Sequence, residues 1–267
     1  MGVASKLRRN LPDAEIVVYQ KEKYVSLGAC GLPYYVEGCF EDPYDLIARS
    51  IPEFEKAKIQ IHSEIVVQKV DFQTQEVFFT NKTGENQRDT YDQLVIAVGA
   101  QPVVPPILGI NAKNVFTLTR IEDGVGIKKY LDQNQKLQRI AVIGSGFIGL
   151  EMCEALKTLN KEVCLVEMEP QIISRLFDVE ITSEIEKELL QNGVQIVKGD
   201  GLKSVGVAND LVQKISLQSG KEQAVDAIIL AIGFQPATSF LKNSGLNLAV
   251  NGAIVVDNHG RTNYQNV

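Results

Sequence analysis

Apolar residues fall into distinct rhythms along this chain, and each rhythm predicts an element. Ile140 to Ile143 is a short unbroken apolar run, the mark of a buried parallel strand. Leu94 to Val98 and Ile228 to Ile232 read the same way. Residues 2–11 form an amphipathic helix that ends at Pro12-Asp13, and Glu15 to Gln20 is a strand. Pro52 breaks the stretch from Leu46 to Lys58 and opens a short helix. Ile59 to Thr80 alternates apolar and polar residues as a strand pair or meander does, before a turn at Asn81-Lys-Thr-Gly-Glu-Asn. Val103 to Gly109 is a proline-rich linker, and Glu122 to Asp132 a helix. Ile181 to Gln191 is an amphipathic helix stopped by Asn192-Gly193, and Ile254 to Asp257 a last strand.

The pattern repeats. Asp92-Gln-Leu-Val-Ile-Ala-Val-Gly-Ala-Gln-Pro102 returns as Asp226-Ala-Ile-Ile-Leu-Ala-Ile-Gly-Phe-Gln-Pro236, an offset of 134 residues (226 − 92). Ile59-Gln-Ile61 returns as Val194-Gln-Ile196, and Glu15 to Gln20 parallels Glu162 to Glu167. The chain is therefore predicted to be α/β, with two tandem Rossmann-like, three-layer dinucleotide-binding domains carrying β-meander insertions. Residues 1–111 and 237–267 would form one domain and 112–236 the other.

The candidate chemistry begins after Ile143. Gly144, Gly146 and Gly149 make a G-x-G-x-x-G turn between a strand and a helix starting near Phe147. The first glycine allows the tight bend, the second lets a pyrophosphate approach the backbone, and the third lets helix and strand pack closely. The helix start aims free N–H groups at the phosphate. Glu167 ends the next strand 18 residues past Gly149 (167 − 149), placed to accept hydrogen bonds from a ribose 2′-OH. Glu167-Met168-Glu169 offers no basic residue for a 2′-phosphate, which favours NADH over NADPH. The first copy begins inside its helix and lacks such a turn, and Val267 follows a strand awaiting a partner. Truncation at both ends is the expectation.

Charge and cysteine content narrow the function. A net charge of −6 argues against non-specific nucleic-acid binding. No apolar run approaches the ~18 residues of a membrane span, and the N-terminus does not read as a signal peptide. The four cysteines, Cys30, Cys39, Cys153 and Cys164, show no C-x-x-C pair and no zinc spacing, so no metal site and a reduced, cytoplasmic setting are expected.

Two nucleotide units, with a cysteine shortly after the first ribose-binding strand, resemble the FAD-dependent pyridine nucleotide-disulfide oxidoreductases. Ser26-Leu-Gly-Ala-Cys-Gly-Leu-Pro-Tyr-Tyr35 is similar to the single-cysteine branch: coenzyme A-disulfide reductase, NADH oxidase and NADH peroxidase. By that resemblance Cys30 is catalytic, cycling between a thiolate and a mixed disulfide or sulfenic acid. Phe147 covers the nicotinamide pocket until cofactor enters, Ile148 is a further cofactor contact, and Glu151 is a carboxylate near the nicotinamide. Gln20, in the place of a usual Glu, and Lys21 lie by the FAD adenosine. Ala97, Gly99, Arg120 and Gly233 are further cofactor contacts. Lys6, Arg9, Ser26 and Lys58 contact a coenzyme A substrate. Ala29 departs from an Asn common in the reductase. The resemblance also implies a homodimeric parent chain. The sequence leaves open a coenzyme A disulfide or an oxygen species as acceptor. It also leaves open a catalytically incompetent fragment that only binds NADH. Cys153 and Cys164, on the helix and second strand of the NAD unit, read as core packing.

Overall fold

A computed structural model describes residues 1–134 and 136–267. The chain folds into two compact units. One comprises Met1–Gly28, Ile47–Gln101 and Gln235–Val267, the other Ala29–Leu46 and Pro102–Phe234.

In the first unit, α1 (Gly2–Asn10) precedes β1 (Val17–Gln20), which pairs in parallel with β2 (Gln60–Ser63). Ala4, Ile16, Val25, Phe54, Ile59 and Ile61 form the core between them. β3 (Val66–Asp71), β4 (Glu76–Thr80) and β5 (Asn86–Thr90) make an antiparallel meander. Its core includes Val70, Phe72, Val77 and Phe79 together with Leu241 and Leu246. Phe72 stacks on Tyr264 with ring centroids 4.5 Å apart. The short helix expected after Pro52 is α3 (Ile51–Lys56), opened by a capping box of Ser50 and Glu53. β5, whose residues carry no apolar alternation, is not predicted by the sequence pattern, and neither is the three-residue strand β6 (Ala100–Pro102).

Two strand expectations fail here. Leu94–Val98 is not a strand: Leu94 N–H donates to the Asn266 carbonyl at 2.9 Å, and Val95 and Val98 are exposed. An apolar run becomes a buried strand only beside ladder partners, and none flank it among the described residues. Ile254–Asp257 likewise reduces to a single bridge, Leu248 with Ile254.

The second unit is built on a parallel sheet. Its strands are β7 (Val115–Phe116), β8 (Arg139–Ile143), β9 (Glu162–Val166), β10 (Gln195–Val197) and β14 (Ala227–Leu230), in the order β10-β9-β8-β14-β7. Alternation along each central strand sorts side chains onto two faces. Ile140, Val142, Val163, Leu165, Ala227 and Ile229 meet the helical layer, in which Ile127, Leu131, Met152 and Leu156 are buried. Those residues belong to α4 (Ile121–Gln133) and α5 (Phe147–Thr158), and α6 (Val179–Gln191) adds Ile185 and Leu189. Gly193, at φ +74°, follows the end of α6 as the sequence anticipates. Ala141, Ile143, Cys164, Val166, Ile228 and Leu230 face the other way, against Val205, Val212, Ile215 and Leu217. These last four lie in a second meander, β11 (Leu202–Ala208), β12 (Leu211–Leu217) and β13 (Glu222–Ala224). Helices, sheet and meander thus make three layers.

A buried polar side chain ties the layers. Asn114 Nδ2 donates to the Asp226 carbonyl at 2.7 Å, while its Oδ1 accepts the Val212 N–H at 2.7 Å. Asp226 in turn accepts the Gln138 and Arg139 N–H groups and pairs with the Arg139 guanidinium at 2.9 Å. No described helix is long and apolar enough to cross a membrane.

Candidate functional site

The carboxyl end of β8 bends at Gly144, whose φ of +99° suits glycine; an added Cβ would lie 2.5 Å from the Ala231 carbonyl oxygen. A Cβ on Gly149 would collide with the Gly144 carbonyl, so this glycine keeps α5 against the turn. Gly146 differs. A Cβ there meets nothing within 4 Å, and Gly146 is the N-cap of α5 with no side-chain cap. The first-turn N–H groups lack intrahelical acceptors, and the space beside the Gly146 Cα is open. This combination fits the pyrophosphate of a dinucleotide.

Around the turn, Phe147 is exposed and meets the Phe177 ring edge-on at 6.2 Å. Ile148 packs partly into the core. Glu151, one helical turn on, is half-buried. Burial, with a smaller contribution from the Glu154 charge, raises its carboxyl above the usual range. Glu167 follows the end of β9. Its Oε2 accepts the Ser145 N–H at 2.8 Å and the Ser145 hydroxyl at 2.5 Å, and its Oε1 accepts the Glu169 N–H at 2.9 Å. Glu169 pairs with Arg175 at 3.4 Å. Arg175 and Phe177 escape a sequence reading because they lie outside the fingerprint spacing.

Cys30 sits in a single 3-10 turn, Ala29–Gly31, that runs into α2 (Leu32–Glu37), with Pro33 in its first turn. Its thiol is unpaired and exposed. Leu32 and Val36 bury into the same core as Met152 and Cys153 of α5, so the thiol segment is fastened to the unit that carries the glycine turn. Cys39 is exposed; desolvation, then the Glu37 carboxylate, raises its thiol. Cys153 and Cys164 are core residues, as expected. Burial, with a lesser effect of Cys164, pushes the Cys153 thiol up to about 12. Burial pushes Cys164 up to about 11 against a hydrogen bond to Gln223.

Arg120 and Gly233 also belong to this unit. Arg120 is the N-cap of α4 and binds Asp123 at 2.9 Å. Gly233 has φ +106°, and its carbonyl accepts the Val103 N–H at 2.9 Å.

The other predicted contacts lie in the first unit. Gln20 is half-buried and its amide donates to the Tyr24 carbonyl at 3.1 Å; Lys21 is exposed beside it. Ala97 is exposed, and the Gly99 carbonyl accepts the Ala237 N–H at 3.1 Å. Lys6 and Arg9 are exposed on α1. Lys58 is exposed at φ +56°, and its carbonyl accepts a hydrogen bond from Arg8 of α1. Ser26, at φ +57°, accepts the Ala48 N–H through its carbonyl. Among the described residues of this unit, no glycine turn links a strand to a helix. Of the residues present, Gln20 and Lys21 would hold the adenosine end of FAD, the cofactor the family implies. No His, Cys, Asp and Glu cluster suited to a metal ion occurs among the described residues.

Known proteins share this arrangement along its full length. An NADH oxidase of Methanocaldococcus jannaschii is 33% identical over 100% of this chain and 59% of its own. A CoA-dependent NAD(P)H sulfur oxidoreductase of Pyrococcus abyssi is 34% identical over 100% of this chain and 58% of its own. The crystal structure of reduced Bacillus anthracis CoADR-RHD superposes with a TM-score of 0.93 at 34% identity, covering 99% of this chain and 47% of that one. The chain thus spans about three-fifths of the length of the curated relatives it matches. The family pattern of the pyridine nucleotide-disulphide oxidoreductases matches residues 1–267 of this chain. With its glycine turn on a Rossmann-type sheet, this chain belongs to the pyridine nucleotide-disulphide oxidoreductases.

Proposed function

We propose that this chain binds NADH on its second unit and presents Cys30 as the redox thiol of an oxidoreductase. Its acceptor is a small-molecule disulfide of the coenzyme A type. The observation that carries this reading is the membership of Cys30 and the glycine turn in one compact unit. The names of the relatives, a NADH oxidase and a CoA-dependent sulfur oxidoreductase, support it.

In this reading Gly146 and the first turn of α5 hold the pyrophosphate, and Glu167 accepts the ribose hydroxyls. Phe147 covers the nicotinamide face, and Glu151 stands beside it. FAD, the cofactor the family implies, supplies the two-electron relay between nicotinamide and thiol when bound. The Cys30 thiolate attacks one sulfur of the substrate disulfide; a Cys30–substrate disulfide forms and one substrate thiolate leaves. Two electrons, ultimately from NADH, then return Cys30 to the thiolate and release the second thiol. Lys6, Arg9 and Lys58 supply cations suited to the phosphates of such a substrate. With an oxygen species instead, peroxide would convert the thiolate to a sulfenic acid and release hydroxide. The unpaired thiols favour a reducing, cytoplasmic setting.

One observation favours a second reading. The glycine turn, β8 and α5 all lie within Pro102–Phe234, and that reading is a unit that binds NADH without turnover. The visible spectrum of the purified protein, before and after anaerobic NADH, separates the two. A flavin band that bleaches, with disulfide turnover abolished in Cys30→Ser, supports the enzyme. A colourless protein that still binds NADH restricts the chain to dinucleotide binding. Turnover that survives Cys30→Ser overturns the thiol chemistry.

A further inference from the structure

Ser145, the residue between the first two glycines of the turn, is buried. Its hydroxyl donates to Glu167 Oε2 at 2.5 Å and accepts the Ile173 N–H at 3.0 Å. Its own N–H donates to the same carboxylate oxygen at 2.8 Å. Ile173 is unusual in its own right: its φ is +45°, a region that a β-branched residue rarely enters. Such backbone persists only where its surroundings over-determine it. Here they do so twice. Ile172 and Ile173 are buried in the helical-side core, and the Ser145 hydroxyl takes up the Ile173 N–H. Further along the segment, Gln171 reaches Thr182 in the first turn of α6.

We propose that Ser145 is a positioning residue for the adenosine end of the dinucleotide. A single hydroxyl sets the Glu167 carboxylate, which accepts the ribose, and pins the strained segment 168–176 beside it. Ser145 touches no reacting atom and acts through Glu167 and Ile173. Neither partner can substitute for it. Without the hydroxyl, Glu167 Oε2 keeps only the backbone N–H of residue 145, and a buried N–H at Ile173 loses its acceptor. The inference deepens the proposed function and rests on its placement of NADH in the second unit.

The test pairs Ser145→Ala with hydroxyl-retaining Ser145→Thr, and takes two readouts. The first is the ratio of dissociation constants for NADH and for its analogue lacking the adenosine 2′-hydroxyl. The wild type should prefer NADH about tenfold, the scale of a hydrogen bond to a carboxylate. In Ser145→Ala that preference should fall to within about twofold, and Ser145→Thr should retain it. The second is hydrogen exchange of the 168–176 segment in the unliganded protein, which should accelerate about tenfold in Ser145→Ala only. Equal weakening of both ligands with unchanged exchange overturns the proposal. Should Ser145→Ala not fold, Ser145→Cys offers a second hydroxyl-free variant for the same readouts. A wild type that binds neither dinucleotide refutes the NADH placement, while the exchange readout still decides whether the hydroxyl pins the segment.

Discussion

Gly146→Ala separates the binding role of the turn from its role in folding. Gly146 has φ −71° and ψ −179°, extended backbone open to any residue, and its added methyl meets nothing within 4 Å. Alanine is a poorer N-cap than glycine by roughly 0.5–1 kcal/mol. It also restricts the unfolded chain, which returns about 0.4–1 kcal/mol. The two nearly cancel, so Tm should move by no more than about 2 °C. Binding should not survive so well. The methyl occupies the space through which a pyrophosphate would reach the α5 N–H groups, and each charge-assisted hydrogen bond lost is worth about 1.5–3 kcal/mol. NADH affinity, read by fluorescence titration, should fall about 10- to 100-fold. Gly149→Ala is the control with the opposite profile. Its methyl collides with the Gly144 carbonyl, an overpacking that costs about 1–3 kcal/mol and lowers Tm by roughly 3–10 °C. A Gly146→Ala protein that binds NADH like the wild type would refute the placement of the pyrophosphate at this helix start.

Three further outcomes are expected. Burial disfavours the Asp226 carboxylate, but the Arg139 side chain and the Arg139 and Gln138 N–H groups outweigh it and hold its pKa below the ordinary value. Because the folded pKa is depressed, its contribution is complete above about pH 5 and disappears as pH falls below the ordinary carboxylate range near ~3.9. Asp226→Asn should therefore cost about 2–3 kcal/mol at pH 7 in urea unfolding. The loss should shrink towards pH 3, and a pH-independent loss would contradict the linkage. Glu169→Ala frees Arg175 for a 2′-phosphate and should tighten NADPH about two- to fivefold with NADH unchanged, on the scale of an exposed ion pair. Unchanged NADPH affinity would exclude Arg175 from that role. In native protein at neutral pH, iodoacetamide should label exposed Cys30 first, Cys39 more slowly because its thiol is raised, and spare Cys153 and Cys164 until urea is added. Peptide mapping that finds Cys153 or Cys164 labelled natively would contradict their burial.

The second unit was the more legible because its signals are local. An apolar strand, three spaced glycines and a helix start are contiguous, and the structure puts β8, the turn and α5 where the fingerprint implies. The repeat was legible too: β1 with β2 and β9 with β10 are both parallel pairs, and each is followed by a three-stranded meander. Leu94–Val98 misled because it is an unbroken apolar run like β14. Composition describes a strand's faces, whereas ladder partners decide whether the strand forms. The Asn114–Asp226 link and the separate Ser145–Glu167 contact left no trace in any periodicity, since such polar residues occur singly and acquire meaning only from their partners. The docking of α2 on α4 and α5 was equally hidden, because it joins residues distant in sequence. The glycine turn was readable as a motif; the tie from Ser145 to Ile173 required coordinates.

That docking bears on the order in which the protein assembles. Residues 29–46 join the second unit across 55 intervening residues, 47 to 101 (101 − 47 + 1), before its next segment at Pro102. Closing so long a loop is entropically costly until the α4–α5 surface exists to receive it. The thiol segment is therefore expected to order late in folding and to open early, at a lower free energy than the parallel sheet. Native-state hydrogen exchange should find the amides of α2 opening before those of β8 and β9. A cell would then meet Cys30 in its working surroundings only after the dinucleotide fold is complete.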